Sequence, residues 1–154
     1  MLALAITLTA MALIAATVVV HAVGTQSLIR YLSRHFTDAN EMFRPHEALP
    51  AFIWTAIVLL MLHVIEIHLW AAAYLFVVPG DQLDTYEKAV YLSFVTYTTL
   101  GYGDVTLTAH EWRMLTGIEA LDGILLAGWS TALLFVIVQR SWRYMGATRP
   151  KDPG

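Results

Sequence analysis

Thr98-Thr99-Leu100-Gly101-Tyr102-Gly103-Asp104 is the stretch that decides how this chain folds. Two glycines in three residues break a helix, and glycine tolerates the positive φ that other residues avoid. The stretch follows a short apolar run. Asp84-Thr85-Tyr86-Glu87 reads as a helix N-terminal cap, and Lys88 to Thr98 then gives 11 residues. As a helix these rise about 16 Å, half of a bilayer core. Backbone that leaves a helix at membrane depth is tolerated only where protein buries it or where it lines a water-filled path. A half-length helix that dips in and returns as irregular chain is therefore expected to be a re-entrant loop.

The flanking segments supply the membrane. Ala51 to Val78 is apolar for 28 residues apart from Thr55, His63, Glu66 and His68. Pro50 can open it as the first helical residue, and Pro79-Gly80 ends it. On the other side, Thr108 with Glu111 three residues later reads as a capping-box start for a span over Ala109 to Val138, with Gln139-Arg140 at its far end. A third span lies at the N-terminus. Leu2 to Val23 is 22 residues without a formal charge, interrupted only by Thr7, Thr9, Thr17 and His21. Its helical length of about 33 Å crosses a core of about 30 Å. Val20-His21-Ala22 loosely resembles a cleavage site, but a signal peptide wants a basic n-region and a shorter apolar core, so the segment is expected to stay as a span. In the polar stretch from Gly24 to Leu49, Leu28, Ile29, Leu32 and Phe36 recur at helical spacing. That suits an interfacial helix or a continuation of the first span, with a solvated loop as the alternative.

Composition agrees with lipid as the solvent. The chain of 154 residues is 58% hydrophobic and 14% charged, against about 45–50% and about 25% in soluble domains. A chain this short has too little interior to bury the excess alone. The absence of cysteine excludes disulfides, thiolate metal sites and thiol nucleophiles. A net charge of −3 gives no reason to expect a nucleic-acid partner. The basic residues are asymmetric: Arg30, Arg34, Arg44, Arg140, Arg143, Arg149 and Lys151 fall on one side of the three spans, and only Lys88 and Arg113 on the other. The positive-inside rule puts the former side, with the C-terminus, in the cytoplasm, and the N-terminus outside. The loop then enters from outside, across the plasma (inner) membrane. No arginine repeats every third residue as a voltage sensor would require.

The heptapeptide resembles the signature of the potassium-channel pore-domain family, T-x-G-Y-G-D, and the resemblance extends over residues 84 to 140, about a third of the chain. It implies an all-α membrane protein in which three transmembrane helices, with a re-entrant pore helix and filter loop between the second and third, assemble as a homotetramer. The implied activity is passive, selective conduction of K⁺, with no enzymatic chemistry and no cofactor besides the permeant ion. Potassium filters are described as four such loops whose carbonyl oxygens replace the ion's hydration shell. On this resemblance Thr99, Leu100, Gly101, Tyr102 and Gly103 bind the ion. Gly101 and Gly103 supply the positive φ, Thr99 adds a hydroxyl to the innermost oxygen ring, and Tyr102 braces the loop from outside. Relatives carry an aromatic residue 13 positions before the aspartate, hydrogen-bonded to it; Tyr91 and Asp104 match. They carry a hinge glycine 19 positions after it and often another small residue five further on; Gly123 and Gly128 match. The same register makes Ile124, Ala127, Thr131 and Phe135 cavity-lining residues, although close helix packing is an alternative reading of the glycines. Two features depart from the family: Val95 stands where some relatives brace the filter with glutamate, and the first span is extra. The implied organisation is an N-terminal helix and connector over 1–49, a pore domain over 50–140 and a basic cytoplasmic tail over 141–154. Lipid is the expected surrounding and no soluble regulatory partner is expected.

The remaining signal is polar. Glu119 and Asp122 point away from the implied pore, toward the second span, where His63 and Glu66 share a face with Trp70 and Tyr74. These groups are expected to meet as a buried polar cluster beside the pore helix. Charge there is costly, so at least one carboxyl is expected to keep its proton. A structural cluster and a pH-sensing gate are the two readings. A metalloenzyme reading of His63-Val64-Ile65-Glu66-Ile67-His68 is weak, because histidines five apart point about 140° away from each other on a helix. A non-selective cation channel or a non-conducting subunit complete the alternatives.

Overall fold

The computed structural model describes residues 1–37, 47–78 and 83–147, with side chains described to Arg140. Pro79-Gly80, Asp81, Arg44, Arg149 and Lys151 lie outside the described residues, as does the side chain of Arg143. Among the described residues there are four α-helices and one 3₁₀ turn: α1 (Leu2–His35), α2 (Ala48–Phe76), α3 (Tyr86–Tyr97), the turn His110–Trp112, and α4 (Arg113–Ala147). Among the described residues, α1, α2 and His110–Arg140 are long and apolar enough to cross a bilayer. The protein is an all-α integral membrane protein.

Helix α1 has 34 residues, about 51 Å, so the first span continues as one rod to His35, while residues 38–46 of the expected connector lie outside the described residues. One stripe is buried: Ile6, Ala10, Thr17, His21, Thr25, Leu28 and Leu32, the spacing of a single helical face. That face packs against α2 and α4. Helices α1 and α2 approach closely at Gly24, where a Cβ would run into the Leu62 side chain.

Helix α2 starts at Ala48. Pro50 is therefore its third residue and not its first, still within the turn where a missing N–H breaks no helical bond. Helix α3 has 12 residues, the half-span expected. Thr85 caps it, its hydroxyl accepting from the Lys88 N–H at 3.4 Å, and Lys88 Nζ reaches Asp84 at 2.7 Å.

The start of the third span differs from expectation. No capping box forms on Thr108: the 3₁₀ turn has Ala109 as its N-cap without a side-chain bond. Burial of Trp112 with Leu107 and Leu115 tightens this turn, and Arg113 Nε donates to the Leu107 carbonyl at 3.1 Å. Helix α4 also runs on to Ala147, past the Gln139-Arg140 boundary, because nothing after Val138 until Gly146 disfavours helix.

Helix α3 lies in the angle between α2 and α4 and contacts both. Two apolar cores form. One joins Ile6, Ala10, Ile67, Trp70, Tyr74, Leu92, Tyr97, Trp112 and Leu115 among others; the second joins Leu28, Leu32, Ala51, Leu59, Leu62 and Ile137. Between them, at the level of Thr17 to Thr25 on α1, Leu62 to Glu66 on α2 and Ser130 on α4, the interior is polar.

Candidate functional site: the filter loop and the polar network behind it

Residues 98–104 leave α3 in an alternating backbone. Positive φ occurs at Thr99 (57°), Gly101 (59°) and Gly103 (77°) and at no other described residue. In a strand of uniform handedness successive carbonyls point to opposite sides; alternating handedness turns successive peptide planes the same way. Glycine adopts this cheaply at two of the three positions. Thr99 is β-branched, and a positive φ there is strained backbone that its surroundings must hold.

What holds it is the end of α3. The Thr99 N–H donates to the Thr96 carbonyl at 2.9 Å, and the N–H groups of Leu100 and Gly101 both donate to the Val95 carbonyl, at 2.9 and 3.2 Å. The amides are thus tied back into the helix, and the carbonyls are left for the opposite side. Val95 supports the loop through its main chain, so an apolar side chain serves at that position. At the far end the Tyr91 hydroxyl donates to Asp104 Oδ2 at 2.7 Å. That bond holds the Asp104 carboxyl below the usual carboxylate range and pushes the Tyr91 phenol up.

Leu100 and Tyr102 are exposed, as are Ile124, Ala127, Thr131 and Phe135 of α4. Ile124 and Ala127 border the same groove as Thr98 and Thr99, with Tyr97 and His63 at its wall. Of the two glycines, Gly123 is buried, and a Cβ there would collide with the backbone carbonyl of Tyr97. Gly128 has open space.

The polar side chains of the spans converge on the other side of α3. Glu66, Glu119 and Asp122 are all buried, and the described spans contribute no lysine or arginine between residues 47 and 78 or 114 and 139. Three separate hydrogen-bonded sets form. Glu66 Oε1 faces His21 Nδ1 at 2.8 Å, while Oε2 accepts from the Tyr97 hydroxyl at 2.6 Å and faces His63 Nδ1 at 3.0 Å. Ser130 Oγ lies between His63 Nε2 (3.0 Å) and His21 Nε2 (3.3 Å). Asp122 Oδ2 accepts from Thr17 at 2.8 Å and from Trp70 Nε1 at 3.0 Å. Glu119 accepts from Ser93 at 2.5 Å and from the Tyr74 hydroxyl, and Ser93 also reaches the Ile67 carbonyl at 2.8 Å.

His63, Glu66, Glu119 and Asp122 therefore share one buried polar region, but Glu119 and Asp122 do not bond directly to Glu66. The side chains that bond them are Thr17 for Asp122, Ser93 for Glu119, and His21 and Tyr97 for Glu66, with Ser130 of α4 beside both histidines. The signal for Thr17 and His21 was available: with Thr25 they are the polar residues that fall on the buried stripe of α1, spaced by four, while Thr7 lies off it. His68 stays apart, bonded to the Val64 carbonyl at 2.6 Å.

What the arrangement can do is hold a strained, carbonyl-presenting loop rigidly at the end of a half-helix clamped from behind on both sides. Such a device suits an ion path. A family model described as ion channel matches residues 61–140. No curated protein and no solved structure matches the chain. The matched segment begins on α2 and closes near the end of the third apolar span, enclosing α3, the loop over 98–104 and most of α4; with half the chain so matched, this protein belongs to the ion channel family.

Proposed function

We propose that four copies of this chain surround one potassium-selective pore, with Thr99 to Gly103 of each copy supplying a quarter of an oxygen cage. The observation that carries this reading is the alternation of positive φ at Thr99, Gly101 and Gly103, with three successive N–H groups tied to Val95 and Thr96. A dehydrated cation needs rings of carbonyl oxygens aimed at one axis, and one chain can supply only one side of each ring. The exposed apolar side chains around the loop and on α4, among them Leu100, Leu121, Ile124, Leu125 and Phe135, suit contact with neighbouring copies or a cavity wall.

Below the filter, Ile124, Ala127, Thr131 and Phe135 line a cavity toward which the carbonyl end of α3 presents about half a negative charge, which favours a cation there. The Tyr91–Asp104 bond fixes the outer mouth. Gly123 lets α4 approach the end of α3, and Gly128, with space around it, is the position where α4 can bend. Conduction is passive and needs no cofactor. The chain sits in the plasma (inner) membrane with its N-terminus outside and its C-terminus in the cytoplasm, the orientation that the asymmetry of the basic residues favours. Residues 50–140 form the pore unit; α1 clamps it from the lipid side, and the region after 140 is a basic cytoplasmic tail.

The test is ion flux from liposomes containing the purified chain, with the mass of the conducting species measured in parallel. K⁺ and Rb⁺ should pass far better than Na⁺ through a species of four chains. Equal Na⁺ flux would mean a non-selective channel, and a conducting monomer or dimer would end the tetramer reading.

A further inference from the structure

Proton counting around Glu66 exposes a shortfall. As a carboxylate, Glu66 only accepts, so the Nδ1 atoms of His21 and His63 at 2.8 and 3.0 Å must both carry hydrogen. In neutral rings both Nε2 atoms are then acceptors. Both face one Ser130 hydroxyl, at 3.3 and 3.0 Å, which has a single hydrogen to give. One buried nitrogen is left facing an oxygen lone pair. Buried polar groups are expected to be satisfied, so this set needs one more positive ion than a carboxylate and two neutral imidazoles provide. The surroundings lean the same way. Three carboxyls share the buried region, no lysine or arginine occurs in residues 2–29, 47–78 or 114–139, and Asp122 Oδ1 is buried with no hydrogen-bond partner among the described residues.

We propose that His21, His63 and Glu66 form an intramembrane site for a divalent transition-metal ion of the zinc class. One ligand atom from each residue lies within 4.8 Å of the others. Zinc bonds to histidine nitrogen and carboxylate oxygen at about 2.0–2.2 Å, so a small outward shift of the three side chains admits the ion. The Tyr97 oxygen, 2.6 Å from Glu66 Oε2 and 3.1 Å from His63 Nδ1, stands where a fourth ligand belongs. Metal on both Nδ1 atoms moves the ring hydrogens to Nε2, and the two lone pairs of Ser130 Oγ then accept both. That repairs the shortfall, and it is the outer-shell support that metal-bound histidines have. Nitrogen and oxygen ligands of this kind suit zinc or cobalt better than magnesium or calcium. A route in exists, because His63 is 16% exposed and lines the groove beside Thr98 and Thr99. Three helices meet at the site, and Tyr97 adjoins the filter, so the ion would pin the end of α3 to α1 and α2.

The experiment uses the purified full-length chain, stripped with chelator and titrated with Co²⁺ and then Zn²⁺. One ion per subunit should bind, Co²⁺ should give the visible absorption of a four-coordinate nitrogen–oxygen site, and Zn²⁺ should abolish it. Zinc absorption fine structure on the wild type should show two imidazoles. His21→Gln and His63→Gln should each weaken binding at least 100-fold, and Ser130→Ala by about 10–100-fold. A wild type that binds no stoichiometric metal would overturn the proposal and leave a proton as the missing cation. Binding that is unchanged in both histidine variants, or a zinc spectrum without two imidazoles, would overturn it as well. None of these readouts depends on ion flux, so they stand or fall separately from the channel reading.

Discussion

Replacing Gly123 with alanine adds a single methyl group, and the structure fixes where it goes. An ideal Cβ at 123 meets the carbonyl oxygen of Tyr97, with the carbonyl carbon at 3.0 Å and the ring Cγ at 3.1 Å. Backbone cannot rotate out of the way as a side-chain tip can, so α4 or the end of α3 must move. Overpacking of this kind costs about 1–3 kcal/mol, against a gain of about 1 kcal/mol from replacing glycine within a helix. Gly128→Ala has nothing within 4 Å of its new methyl and keeps that gain. The pair should therefore part in sign: in thermal unfolding of the detergent-solubilised protein, Gly123→Ala melts lower and Gly128→Ala at or above wild type. For a chain of this size the scale is about 2–4 °C per kcal/mol. Because Tyr97 lies two residues before Thr99, Gly123→Ala should also lower K⁺ flux or selectivity. A Gly123→Ala protein as stable as wild type, with unchanged flux, would refute the contact between α4 and the base of the filter.

Two further outcomes follow from the same geometry. Glu66→Gln keeps a group that can accept from His21 or Tyr97 and should assemble, whereas Glu66→Lys places a cation against two histidines and should abolish assembly; size-exclusion profiles of the two variants decide, and equal behaviour would place Glu66 outside the packed interior. At the outer mouth, Thr106 stands two residues past Asp104 and offers no ring to an external quaternary ammonium ion, so tetraethylammonium should block weakly and Thr106→Tyr should strengthen block through cation–π attraction; no change in the variant would mean that residue 106 does not face the pore mouth.

The re-entrant geometry was legible because two local facts agree. A capped apolar run was too short to cross, and the glycines that ended it could take positive φ. The share of His63, Glu66, Glu119 and Asp122 in one buried region was legible from helical facing alone. The start of α4 was not, since Thr108 and Glu111 carry the right spacing for a cap, yet burying Trp112 stabilises a tight turn that places Thr108 outside the helix. Nor was the bonding inside the polar region. Whether His21 meets Glu66 depends on how α1 docks, and that is set by the whole stripe from Ile6 to Leu32 and by the close approach at Gly24. The positive φ of Thr99 was also hidden, because a β-branched residue avoids it unless the chain around it, here Val95 and Thr96, holds it.

The central claim is that residues 99–103 of four chains present their carbonyls to a row of bare potassium ions. Rubidium scatters anomalously and substitutes for potassium, so an anomalous map from crystals of the assembled protein grown in Rb⁺ reads the ions directly. Peaks should lie in single file on a four-fold axis, each ringed by main-chain oxygens from Thr99 to Gly103. A four-chain assembly with no ion on that axis, or with the ions held only by side chains, would contradict it.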